Sequence, residues 1–138
     1  MVSDFATLFY GVLDIRTRRL TFASAGHPPP LLLRDGAFTQ LATGGGVLGI
    51  ELDATFPNQH LTLQPNDVLL AYTDGLTEAF NFEEDCFGPE RVEKALLAAV
   101  AANYNADGIV KHVLWELRRF TGLQNHGDDL TMVAIKVL

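Results

Sequence analysis

Val68-Leu69-Leu70-Ala71-Tyr72-Thr73-Asp74-Gly75-Leu76-Thr77-Glu78 is the stretch that decides the fold. Its first five residues are apolar without alternation, the mark of a short strand covered on both faces. Such a strand needs a layer above it and a layer below it. A carboxylate, Asp74, then stands where the strand ends, directly before a glycine that lets the backbone turn away. A rigid strand end is a good place to hold a metal ligand, because the backbone there barely moves. For an isolated Asp-Gly, a capping aspartate in a strand-to-loop turn is the commoner reading.

Upstream of this strand the pattern is one of hairpins. Phe5 to Ile15 is rich in aromatic and β-branched residues, and Thr17-Arg18-Arg19 turns it into Leu20 to Ala25. Pro30 to Leu33 is a third strand, and Asp35-Gly36 is a hairpin turn into Phe38 to Leu41. Gly44-Gly45-Gly46 opens a loop through Val47-Leu48-Gly49-Ile50, and His60 to Leu63 is a further strand before the Pro65-Asn66-Asp67 turn.

Downstream the period changes to that of helices. Pro89 suits a first helical turn, and Val92, Ala95, Leu96, Ala99 and Val100 recur at three- and four-residue spacing. Asn105 caps a second helix with the stripe Ile109, Val110, Val113, Leu114, Leu117 and Phe120, and Gly122 stops it. Leu130 to Leu138 is a closing strand. Hairpins, a helical pair and a last strand predict an α+β domain, with helices laid on an antiparallel sheet or sandwich.

Composition narrows the function classes. The 138 residues amount to one domain and carry a formal net charge of −7, which argues against a nucleic-acid partner. Arg16, Arg18 and Arg19 read as a hairpin tip, and Arg118 and Arg119 as a solvated helix face. Acids crowd between Glu78 and Glu93 and read as a solvated loop and helix start. No run of about 18 apolar residues exists to span a bilayer. Met1-Val2-Ser3-Asp4 lacks the basic start of a secretory signal, and the lone Cys86 fits a reducing cytoplasm.

Two more constellations carry chemistry. In Asn125-His126-Gly127-Asp128-Asp129-Leu130-Thr131, adjacent acids before a strand repel each other unless something positive lies near. A hard divalent cation, Mg²⁺ or Mn²⁺, satisfies that demand; a solvated turn with the carboxylates on backbone amides satisfies it equally. In Ala23-Ser24-Ala25-Gly26-His27-Pro28-Pro29-Pro30, small residues and prolines display His27 at a rigid turn. Histidine there serves proton transfer or phosphate binding, although a structural hydrogen bond is its more frequent role.

Taken in order, Phe5-Ala6-Thr7-Leu8-Phe9-Tyr10-Gly11, Ala25-Gly26-His27-Pro28-Pro29, Leu48-Gly49-Ile50, Leu63-Gln64-Pro65-Asn66-Asp67, Tyr72 to Ala79, Phe87-Gly88 and Asp128-Asp129-Leu130-Thr131 carry a family resemblance. The chain resembles, nearly end to end, the bacterial branch of the metal-dependent (type 2C, PPM) serine/threonine phosphatases. That branch is typified by stage II sporulation protein E and the stress-response sigma-factor regulators. The resemblance implies a sandwich of two antiparallel sheets flanked by helices, with two Mn²⁺ or Mg²⁺ ions in a cleft at one end. It implies that Asp74 and Asp128 bind one ion and that Asp129 supports the site, and it leaves the role of His27 open. It also implies that the front part of a complete domain, including the aspartate that bridges the two ions, has no counterpart before Phe5. The chain is then the C-terminal part of a phosphatase domain whose substrate is a phosphorylated regulatory protein of the anti-sigma-factor-antagonist type. The rival expectation is a non-catalytic, phosphatase-like module that holds a signalling partner. In either case sheet edges left without their neighbours favour a homodimer or exchange of elements.

Overall fold

The computed structural model describes residues 4–122 and 129–138. Its strands are β1 Leu8–Asp14, β2 Arg19–Ala25, β3 Leu31–Arg34, β4 Ala37–Gln40, β5 Asn58–Thr62, β6 Val68–Tyr72 and β7 Met132–Lys136. Its helices are α1 Asp74–Thr77, α2 Gly88–Ala101 and α3 Ala106–Thr121. The described strands form two antiparallel sheets, one ordered β1-β2-β5 and the other β4-β3-β6-β7.

The apolar run of β6 is covered on both faces, as its sequence predicts. Val68, Leu70 and Tyr72, together with Leu31 and Leu33 of β3, pack against Val92, Leu96, Ile109, Val113 and Leu117 of α2 and α3. Leu69 and Leu32 point the other way, into a second core with Leu20, Phe22, Leu41 and Leu63. The four-stranded sheet is therefore the middle layer, between the helical pair and the three-stranded sheet. Each leucine buried in this way contributes about 1.5–3 kcal/mol.

Local signals set the element ends. Asp35 and Gly36 both adopt positive φ, the geometry of a two-residue hairpin turn between β3 and β4. The Asn105 side chain accepts a 2.8 Å hydrogen bond from the Gly108 N–H and so caps α3. Gly122 closes α3 at φ 65°. At the far end of the sheets the Asp67 carboxylate is buried and receives Arg34 through Nε at 3.0 Å and Nη2 at 2.6 Å. Nη2 also donates to the Thr62 carbonyl at 3.0 Å, tying β3 to β5.

Three departures from the sequence reading have clear causes. The first strand begins at Leu8 and not Phe5, because Ala6 exchanges two backbone hydrogen bonds with Leu48 of the glycine-rich loop instead. The last strand starts at Met132 and not Leu130, because the Thr131 N–H bonds to the Thr73 hydroxyl and not to a main-chain carbonyl. A one-turn helix, α1, follows β6 where a turn is expected; Leu76, fully buried, anchors it in the core under the helices.

Among the described residues one flank stays open: β1 pairs as a strand only with β2, and β7 only with β6. Between them runs an apolar groove of about 480 Å³ lined by Phe9, Leu13, Leu69, Ala71, Val133 and Ile135. On the outer face of β1, Leu8, Tyr10 and Val12 are about half exposed or more.

Candidate metal and phosphoryl site

The candidate site lies where β6 and β7 end together. The Thr73 N–H donates to the Thr131 carbonyl at 3.1 Å, and the Thr131 N–H donates to the Thr73 hydroxyl at 3.0 Å. The threonine side chain thus continues the ladder for one step after its main chain has begun to leave the sheet. Asp74 opens α1, exposed to solvent, and among the described residues its carboxylate makes no hydrogen bond or ion pair. Behind it Tyr72 is buried, and burial, with the nearby charges of Glu93 and Asp74, raises its pKa above the ordinary phenol value.

Gly75 is required for a reason other than the one its sequence suggests. Its φ is not positive, so it grants no special turn. A side chain there would run into the Asp129 carbonyl and the Leu130 backbone. What the glycine permits is the close approach of the segment that carries Asp129, an exposed residue directly before β7.

His27 reaches the same place from the other sheet. Gly26 takes φ 64° with its face against Val47, and its N–H donates to the Gly45 carbonyl at 3.1 Å. The turn this fixes sets the His27 Nδ1 3.0 Å from the Thr7 hydroxyl, just ahead of β1. The result is a small cleft of about 270 Å³ lined by Thr7, His27, Thr73, Asp74, Gly75, Asp129 and Thr131. Of the residues singled out in the sequence, Asp74, Gly75, Asp129 and His27 share this cleft. Asp128 lies outside the described residues. Thr7, Thr73 and Thr131 are additions from the structure; each lies inside a motif quoted above, but its hydroxyl had no weight there.

The donors lining the cleft are carboxylate and hydroxyl oxygens together with the His27 ring, and the oxygens suit a hard cation such as Mg²⁺ or Mn²⁺. Among the described residues no group of three or more His, Cys, Asp or Glu side chains is placed to hold a metal. Asp74 and Asp129 are thus a donor set of the right kind and an incomplete number.

The family model described as stage II sporulation protein E matches residues 2–138. The chain belongs to the stage II sporulation protein E family. Within it, the chain is 34% identical over 132 residues to Protein IcfG of Synechocystis, covering 95% of this chain and 20% of that protein. It is 30% identical over 136 residues to the phosphoserine phosphatase RsbU of Bacillus subtilis, covering 97% of this chain and 39% of RsbU. The fold matches the structure of the RsbU and RsbW domains of Rv1364c from Mycobacterium tuberculosis with a TM-score of 0.77 at 27% identity, over 95% of this chain and 37% of that one. The chain spans well under half the length of each of these relatives. The α+β class expected from the hairpin pattern, and the two-sheet sandwich implied by the resemblance, are the fold of this family.

Proposed function

We propose that this chain is the C-terminal part of a metal-dependent protein serine/threonine phosphatase domain, acting on a phosphorylated regulatory protein of the anti-sigma-factor-antagonist type. The observation that carries the reading is the cleft shared by Asp74 and Asp129, in a chain of this family. Asp74, Asp128 and Asp129 would hold Mn²⁺ or Mg²⁺. When bound, the metal supplies positive charge against the phosphoryl oxygens and makes a water acidic enough to attack phosphorus. Gly75 keeps the two acid-bearing segments close. Thr7 holds the His27 ring through Nδ1, which leaves Nε2 as the nitrogen available to hydrogen-bond a phosphoryl oxygen or to move a proton. The name of RsbU supports the phosphoserine class of substrate.

The reading places the protein in the cytoplasm, where the exposed, unpaired Cys86 stays reduced. Among the described residues no helix is long and apolar enough to cross a membrane. The open groove between β1 and β7 supports pairing with further strands, from a second copy or from other polypeptide of the same domain. The incomplete acid set favours a second reading, a phosphatase-like module that binds a partner without catalysis.

One experiment separates the two. Hydrolysis of a phosphoserine peptide in Mn²⁺ is measured for this chain together with whatever polypeptide its gene encodes upstream, and for the same protein carrying Asp74→Asn. Mn²⁺-dependent release of phosphate, lost in the folded variant, supports the phosphatase. Absence of both hydrolysis and calorimetric Mn²⁺ binding leaves the binding module.

A further inference from the structure

A second cluster of charged groups, sharing no residue with this cleft, lines a hollow on the helical pair. Ala95 and Ala98 of α2 leave a hollow of about 310 Å³ against α3, floored by Phe87 and Phe120. Arg91, Lys94 and Arg119 line it with a single acid, Glu116. In a chain of net charge −7 this is a local excess of cations, three against one carboxylate, which Arg119 Nη2 already pairs at 3.3 Å.

The cluster is partly fixed in place. Arg91 Nη1 donates to the Cys86 carbonyl at 3.0 Å and the Phe87 carbonyl at 3.1 Å, and its guanidinium lies 4.3 Å from the centre of the Phe120 ring. These contacts fix the guanidinium at the edge of the hollow. Lys94 makes no hydrogen bond or ion pair among the described residues. The His112 Nε2 is buried with no hydrogen-bond partner, 4.0 Å from Glu116 Oε1 and too far for a hydrogen bond.

The rim extends beyond the hollow. Trp115, 54% exposed, stacks beside His112 at 6.2 Å and under Arg119 at 4.9 Å, and Tyr104, on the other side of His112, is also exposed. Exposed tryptophan and tyrosine beside arginine is the composition of a protein-binding patch, and is more surface than a small anion would cover. We propose that the α2–α3 hollow is a docking site for an acidic segment of a partner protein. Carboxylates of that segment meet Arg91, Lys94 and Arg119, and one of its side chains packs on Trp115. The hollow shares no lining residue with the metal cleft.

Trp115 is the only tryptophan in the chain and reports directly on the site. A hexaglutamate peptide is titrated into the protein at low salt, with binding followed by calorimetry and by Trp115 fluorescence. Saturable heat together with a saturable fluorescence change is expected, weakened at least tenfold by Lys94→Glu and retained by Lys94→Arg. Because Lys94 is exposed and makes no hydrogen bond or ion pair among the described residues, both variants are expected to keep the thermal unfolding of the parent. No saturable heat, equal affinity in Lys94→Glu, or heat with no change at Trp115 would overturn the proposal. So would inorganic phosphate binding as tightly as the peptide, which would mark a small-anion site instead.

Discussion

The carbonyl of Asp129 occupies the space that a side chain on Gly75 would need. Both groups are backbone, one at the head of α1 and one before β7, so neither moves aside as a flexible side chain would. Gly75→Ala should therefore push the two acid-bearing segments apart, at about 1–3 kcal/mol for a forced overlap. Urea unfolding of the two proteins measures this. A neutral or stabilising substitution would show that the approach is loose and that the glycine is there for another reason.

Metal binding by the 138-residue chain alone should be weak, and its turnover of p-nitrophenyl phosphate in Mn²⁺ close to the blank. The described carboxylates in the cleft are too few to organise a pair of ions. Asp74→Asn should remove the remaining Mn²⁺ heat in calorimetry without lowering the melting temperature, because that carboxylate bonds to nothing among the described residues. Robust turnover by the chain alone, abolished by Asp74→Asn, would show the donor set to be sufficient.

At the opposite end of the sheets, Arg34 and Asp67 make stability depend on acid pH. Burial pushes the Asp67 carboxyl up, but the hydrogen bonds from Arg34 and the Gln64 N–H, with the charges of Arg34 and Arg18, outweigh it and leave the pKa below the ordinary value. A carboxyl depressed in the folded state stabilises above its unfolded pKa, about 3.9, and that contribution is lost as pH falls through the folded value. Unfolding free energy should hold steady above about pH 5 and drop below about pH 4. Asp67→Asn should flatten that drop and cost about 1.5–3 kcal/mol at pH 7, toward the lower end because the Arg34 head is partly exposed. Denaturant melts between pH 3 and pH 8 give both numbers.

The open flank predicts association. Apolar side chains on β1, the groove beside them and two strand edges unpaired among the described residues favour burial against another polypeptide. Size-exclusion chromatography with light scattering should show a mass above 15.1 kDa that rises with concentration. Substituting Tyr10→Lys and Val12→Lys, on the exposed face of β1, should reduce it. A monomer at all concentrations, with cooperative unfolding, would mean that the flank is stable in water.

Much of this architecture was legible because its signals are local. The β6 run and the two helix stripes needed only periodicity, and Asn105, Gly122 and Asp35-Gly36 act on their own neighbours. The candidate site was legible as motifs and misleading as geometry. Asp-Gly after a strand reads as a turn, yet Gly75 answers to Asp129, a residue remote in sequence. A single helical turn such as α1 has no period to detect, and only the burial of Leu76 explains it. The β1 segment carries apolar residues toward both faces, so its sequence promised more cover than the fold supplies. The expected meeting of Asp74 and Asp128 falls on a residue outside those described.

The bonds between Thr73 and Thr131 join positions 58 residues apart. During synthesis β6 must therefore wait, with its site end unpaired, while both long helices are made before β7 arrives. Contacts this distant are slow to form, since closure of the intervening loop precedes any gain from them. The half-built sheet spends that interval with a buried-type apolar strand at its edge, the condition under which chains meet one another instead of themselves. Slowing translation downstream of Thr121 should then raise the aggregated fraction, while the finished fold and its melting temperature stay unchanged.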